Sequence, residues 1–111
     1  MSKFPKRGDI YWVALDLVAG SEIAKTRPAV IISNNAGNEA SSRVIVVPIT
    51  SSVSRIFPFE VAITVKDKQG KILVDQIRTI DKSRLVGKIG TCEKDTLAAI
   101  DNALKIVLAF D

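Results

Sequence analysis

Hydrophobic and polar positions along this chain fall into short runs of two different periods. Asp9 to Leu17 is rich in aromatic and aliphatic residues and predicts a first strand. Val18 to Arg27, with Gly20, Ser21, Glu22 and Lys25, has no clear period and reads as a loop. Pro28 to Ser33 and Arg43 to Thr50 are short β-branched apolar runs, which read as buried strands. Between them, Asn34 to Ser42 gathers asparagine, glycine and serine, the composition of a surface loop. Pro48 has no N–H to give to a ladder, so it is expected at an edge, at a bulge or near the strand end.

Ser51 to Phe57 is polar and basic and reads as another loop. Phe59, Val61, Ile63 and Val65 then alternate with Glu60, Ala62, Thr64 and Lys66, the period of a half-buried strand. A turn over Lys66 to Gly70 leads into Ile72 to Arg78 as the second arm of a hairpin. Asp81 to Arg84 reads as a helical turn, and Leu85 to Ile89 as a last short strand. Leu97, Ile100, Leu104 and Val107 or Leu108 fall at helical spacing, predicting a helix over Glu93 to Ala109. Thr91 or Cys92 is the expected N-cap, with Glu93 and Asp95 at the positive end of the helix dipole. The predicted fold is mainly β with α, a small β-barrel or strongly bent sheet with one C-terminal helix. Residues 1–111 read as one domain, and strands with a single terminal helix argue against a parallel βαβ fold.

Composition removes several chemistries. With 47% hydrophobic and 25% charged residues in 111, the chain can bury a core without metal or disulfides. It has no histidine, which excludes His-based acid–base catalysis, Ser–His and Cys–His nucleophile systems, and His-ligated metal. The one cysteine, Cys92, allows no internal disulfide and no zinc cluster, so neither metal nor cofactor is expected. Sixteen Lys and Arg against twelve Asp and Glu give +4, a balance that favours polyanionic partners. No apolar run approaches the length of a membrane span, and the basic start is followed by no long apolar h-region. A soluble, unexported, cytoplasmic protein is expected.

Three segments carry more than composition. The first is Gly8-Asp9-Ile10-Tyr11-Trp12-Val13, then Gly20-Ser21-Glu22, then Thr26-Arg27-Pro28 leading into an apolar strand. The second is Val46-Val47-Pro48-Ile49-Thr50-Ser51, and the third is Asp75-Gln76-Ile77-Arg78-Thr79-Ile80-Asp81. In this order and spacing they resemble the MazF/PemK (Kid-like) toxin family, from Gly8 to the C-terminal helix. The resemblance implies an SH3-like β-barrel with a C-terminal α-helix, and a homodimer. It also implies metal-independent, sequence-specific cleavage of single-stranded RNA, and a cognate MazE-like antitoxin that blocks the RNA site.

The residues fit that chemistry. Cleaving RNA without a metal uses the substrate's own 2′-OH as nucleophile, so the enzyme must handle its proton and the charge on the phosphorane. Arg27 stays cationic and can bind two phosphate oxygens. The resemblance makes it a catalytic residue, against a solvated surface arginine. Thr50 ends an apolar strand, where its hydroxyl can meet a scissile phosphate or cap its own loop; the resemblance again favours catalysis. Asp75 is a candidate base for the 2′-OH. It is read on a strand where Leu73, Asp75 and Ile77 share a face, and a structural ion pair with Arg78 is the other possibility. Kid-like members carry an arginine where this chain has Leu73 and a histidine where it has Ser21, so the Arg27–Thr50 form of the site is favoured. Ser21, Glu22, Ser51 and Gln76 are the candidate substrate-binding residues, Gln76 because its amide both donates and accepts. Arg78, Thr79 and Asp81 read as a structural corner. Phe57 and Phe59 lie near a site loop, with Phe59 favoured for the core. One of Tyr11 and Trp12 should face outward, more in keeping with a dimer interface than with RNA. Cys92 reads as a packing residue. A different class, a non-catalytic CcdB-like toxin that binds a topoisomerase, shares the barrel. A general SH3-like module is disfavoured by the lack of an aromatic-lined groove.

Overall fold

The structure, a computed structural model, describes residues 3–15 and 25–110. Of the loop expected over Val18 to Arg27, residues 18–24, with Ser21 and Glu22, lie outside the described residues. The elements in chain order are β1 (Asp9–Leu15), β2 (Lys25–Ile31), α1 (Asn35–Ala40), β3 (Arg43–Thr50), β4 (Glu60–Val65), β5 (Lys68–Leu73), β6 (Arg78–Asp81), β7 (Leu85–Thr91) and α2 (Lys94–Leu108). Short 3-10 turns fill Val74–Gln76 and Lys82–Arg84. The seven strands form one curled antiparallel sheet in the order β4-β5-β3-β2-β1-β7, with β6 paired to β3 beside β5. This is the strongly bent sheet with a C-terminal helix that the pattern predicts.

Both faces of the central strands are covered, which is why β2 and β3 read as continuous apolar runs. On one face Ile10, Val30, Val47, Ile49, Val61 and Ile72 pack with Ile100 and Ala103 of α2. On the other face Val13, Ala29, Ile31, Val44, Val46 and Ile80 meet. Ile31, Ile72 and Ile100 have no exposed surface, and each contributes roughly 1.5–3 kcal/mol by leaving water. Residues 45, 47 and 49 of β3 face the helix, and 44 and 46 face the second cluster, the period of two that fixes the register.

Four local expectations differ from the structure. The polar stretch after β2 contains α1, capped by Asn34, whose Oδ1 accepts the Gly37 N–H at 2.7 Å. Asn38 is buried and donates to the Ser33 carbonyl at 2.9 Å. Asn, Ser and Gly suit caps as well as loops, so composition alone does not separate a short capped helix from a turn. Lys25 to Arg27 belong to β2, paired with Val13 to Leu15, rather than to the preceding loop. The β4–β5 turn is tighter than five residues: Lys66 and Asp67 take φ of 49° and 65°, and pairing resumes at Val65↔Lys68. The N-cap of α2 is Glu93, without a side-chain bond. Thr91 instead ends β7 and donates to Asp9 Oδ1 at 3.2 Å, and the Cys92 N–H donates to the Gly8 carbonyl at 2.8 Å. Gly8 itself sits at φ 96°, where a Cβ would lie 2.9 Å from Leu97.

Cys92 is buried beside the start of α2. Burial first, and the nearby Asp9 carboxylate second, push its thiol up to about 11. It therefore packs, as expected, and is no activated thiolate. Two outcomes are expected. Native protein at pH 8 should react with iodoacetamide far more slowly than urea-unfolded protein. Because the folded state disfavours the thiolate, stability should fall as pH rises from the thiol's ordinary value towards about 11. Equal alkylation rates folded and unfolded would show the thiol to be accessible.

Candidate active site

The site is a consequence of where one ladder stops. β2 and β3 pair at Ile31↔Val46, Val30↔Val47 and Ala29↔Pro48, and no further. Pro48 has no N–H to continue the ladder. Beyond it β2 stays with β1, through Val13↔Arg27 and Ala14↔Thr26. The end of β3 goes instead with β5, through Ile49↔Ile72 and Thr50↔Lys71. On its other side Pro48 falls between Val46↔Arg78 and Ile49↔Ile72, where β3 changes partner from β6 to β5. The proline expected near a strand end thus stands where the sheet divides.

Extending the β2–β3 register by two residues sets Arg27 opposite Thr50, on the face shared with Ala29 and Pro48. A groove of about 290 Å³ follows the opening, lined by Trp12, Arg27, Pro28, Thr50, Ser51 and the hairpin-tip residue Lys68, among others. Arg27 is half-buried, and among the described residues its side chain makes no hydrogen bond or ion pair. Thr50 Oγ1 accepts the Ser52 N–H at 3.2 Å, so the hydroxyl caps its own loop and still has its proton to donate into the groove. Lys66 also lines the groove, and no carboxylate does so among the described residues. The result is a cleft with cationic walls and a free hydroxyl donor, suited to a phosphodiester.

Gly70 makes the close approach at Thr50 possible. A Cβ there would lie 2.8 Å from the Thr50 carbonyl oxygen and 3.2 Å from Ile49 Cγ2. Gly70→Ala must push β5 off β3 at the edge of the groove. It is expected to cost about 1–3 kcal/mol, read by urea unfolding, because the obstruction is backbone rather than a flexible side chain.

Asp75 is not where the strand reading put it. After Leu73 the chain leaves β5 for the 3-10 turn Val74–Gln76, so the alternation of faces does not extend to Asp75. The turn packs against α2, β3 and β4. Asp75 is exposed, is not among the groove residues, and makes no ion pair with Arg78 or any other described residue. Gln76 is half-buried in the same turn and is likewise away from the groove. Arg78 lies in β6 opposite Val46, and Asp81 caps the next turn by accepting the Ser83 N–H at 2.9 Å, which is the structural corner expected. The structure therefore brings Arg27, Thr50 and Ser51 together and leaves Asp75 and Gln76 outside. Of Tyr11 and Trp12, the outward-facing residue is Trp12, 41% exposed, and it lines the groove; Lys66 and Lys68, which sequence reasoning missed, line it too. The only signal for the lysines is that the tight hairpin tip carries them.

A curled sheet capped by a C-terminal helix, with a basic cleft at the division of its sheet, defines a class of small nucleic-acid-directed β proteins. The comparisons narrow it. The family described as PemK-like, MazF-like toxin of type II toxin–antitoxin system matches residues 6–108, and the chain belongs to that family. The chain is 41% identical to endoribonuclease MazF of Staphylococcus epidermidis, over 96% of this chain and 92% of that protein. It is 40% identical to endoribonuclease EndoA of Bacillus subtilis, over 94% of each. Among solved structures, MazF from Deinococcus radiodurans superposes with a TM-score of 0.86 at 28% identity, covering 98% of this chain and all (100%) of that one. A mycobacterial endoribonuclease in complex with its cognate antitoxin superposes at 0.79 and 31% identity, covering 96% and 97%. These relatives favour the endoribonuclease reading over topoisomerase binding.

Proposed function

We propose that this chain is the endoribonuclease toxin of a type II toxin–antitoxin pair, and that it cuts single-stranded RNA at a short sequence without a metal. The observation that carries the reading is the pair Arg27 and Thr50, set facing across a cationic groove where the β2–β3 ladder ends. The 2′-OH of the substrate attacks the adjacent phosphorus, and the 5′ oxygen of the next nucleotide leaves. The products are a 2′,3′-cyclic phosphate and a 5′-OH. Arg27 neutralises the charge that accumulates on the phosphorane oxygens. The Thr50 hydroxyl donates to a phosphate oxygen or orients the 2′-OH, and Ser51 contacts the substrate beside it. Asp75 stands outside the groove, so the reading rests on Arg27 and Thr50. The protein works as a homodimer in the cytoplasm, restrained by a MazE-like antitoxin. Among the described residues no helix is long and apolar enough to cross a membrane.

The test is digestion of a long, largely unstructured RNA in excess EDTA. Cutting at a few recurrent positions is expected, with ends that carry cyclic phosphate and 5′-OH. Loss of all cutting in EDTA, restored by magnesium, would overturn the mechanism. Sedimentation at micromolar concentration should report about twice the chain mass, since the assembly is a dimer.

A further inference from the structure

A row of residues crosses the sheet from the groove to an aromatic stack that the cleavage chemistry does not use. Thr50 of β3 is paired directly with Lys71 of β5, and Lys71 with Ala62 of β4. Directly opposed residues share a face, so Arg27, Thr50 and Lys71 lie on one side of the sheet. The Lys71 ammonium donates to the Arg55 carbonyl and, at 2.9 Å, to Glu60 Oε1. Glu60 in turn holds Phe57 at both backbone groups: its Oε1 accepts the Phe57 N–H at 2.9 Å, and its N–H donates to the Phe57 carbonyl at 2.9 Å. Lys71 and Glu60 are nearly buried, with side chains 12% and 7% exposed. The polar, basic loop over Ser51 to Phe57 is therefore held at two backbone points by the side chains of one ion pair and at a third by the Glu60 N–H.

That pair presents a stack. The rings of Phe57 and Phe59 lie 5.5 Å apart and within 7° of parallel. The Arg55 guanidinium sits 4.7 Å over the Phe57 ring. Phe57 is 38% exposed, and Arg55 is exposed and has no carboxylate partner among the described residues. An arginine held over an aromatic ring and left without a counter-ion offers both a cation and a flat π surface. Unstacked bases of single-stranded RNA bind on such surfaces. From Thr50 to β4, the strand that the stack leads into, is two strand spacings, about 10 Å.

We propose that Arg55 and Phe57 form a stacking subsite for a base of the single-stranded RNA flanking the phosphate held between Arg27 and Thr50. The RNA then runs across the strands rather than along them, and Arg55 adds a contact to its backbone. The subsite sets affinity and the choice of one flanking nucleotide; it takes no part in bond breaking. This inference rests on the endoribonuclease reading for the position of the scissile bond.

The experiment measures binding and cutting separately. The cut site is first mapped with wild-type protein, and an oligonucleotide of that sequence is made with a 2′-deoxy nucleotide at the cut position. Phe57→Ala and Arg55→Gln are each expected to weaken its binding about tenfold, the effect of losing one stacked base. Phe57→Trp, which keeps a π surface, should bind within about twofold of wild type. On cleavable RNA, kcat/KM should fall chiefly through KM, and selectivity at one flanking position should relax. Wild-type affinity in Phe57→Ala would overturn the subsite and leave the catalytic reading standing. Phe57-dependent binding by a protein that cuts no RNA would do the reverse. Conversion of the dimer to monomers by Phe57→Ala in sedimentation would assign the stack to contact between copies and overturn the proposal.

Discussion

Arg27→Ala is expected to lose about 10²–10³-fold in single-turnover cleavage of RNA while keeping the fold and most of the RNA affinity. The expectation follows from when the charge appears. A diester in the ground state carries one negative charge, which water, Lys66 and Lys68 also serve. The phosphorane carries a second, and it forms between the splayed strands where Arg27 has no competing carboxylate among the described residues. An interaction made mainly in the transition state appears in kcat more than in KM. Arg27 packs into no core cluster, so its removal should shift the unfolding midpoint little. Thr50→Ala should lose less, since a phosphate oxygen can find a water donor, although the Ser52 N–H also loses its acceptor. Asp75→Asn is expected to cut at a rate close to wild type, because the 3-10 turn holds it outside the groove. Near-normal cutting by Arg27→Ala would mean that the chemistry happens elsewhere on the molecule. A loss in Asp75→Asn that rivals Arg27→Ala would restore the aspartate as the base.

The pattern of apolar residues made the strands and the helix legible because each buried face repeats at its own period. β3 begins and ends where the sequence places it, and Leu97, Ile100 and Leu104 of α2 face the sheet as their spacing predicts. Two kinds of feature were not legible. Residues that change role over a single peptide leave no periodic trace. The apolar run Ile72-Leu73-Val74 reads as strand up to Asp75 and beyond, and only the packed structure shows the chain turning there into a 3-10 segment. Asparagine and serine likewise serve loops and caps equally, which hid α1. The other kind depends on register between distant strands. Arg27 and Thr50 could be nominated from their motifs, but their facing each other depends on Ala29 meeting Pro48. No local pattern states that pairing. The same is true of Lys71: nothing local sets it apart from Lys66 and Lys68, and its burial against Glu60 comes from β4 and β5 meeting in one particular register.

Lys71→Met is expected to destabilise the protein by about 3–5 kcal/mol, the usual cost of leaving one charge of a buried pair alone. For a domain of this size that lowers the thermal midpoint by on the order of 10 °C or more. Glu60 would keep only the Phe57 N–H as a partner in a position that admits little water. Replacing both members, Glu60→Leu with Lys71→Met, removes the charge problem and should recover most of the lost stability, since buried pairs exchanged for apolar residues of similar volume are often tolerated. The double-mutant cycle should therefore show strong coupling between the two positions. RNA binding separates stability from function in the same proteins. The double variant regains its fold but has neither the ammonium that holds the Arg55 carbonyl nor the carboxylate that holds the Phe57 amide. Arg55 and Phe57 are then free to move, and ordering them must be charged against binding. The double variant should thus melt near wild type and still bind uncut RNA more weakly. Single variants with no more than about 0.5 kcal/mol of effect would place the pair with ordinary surface ion pairs. A double variant with wild-type RNA affinity would show that the stack needs no such anchor.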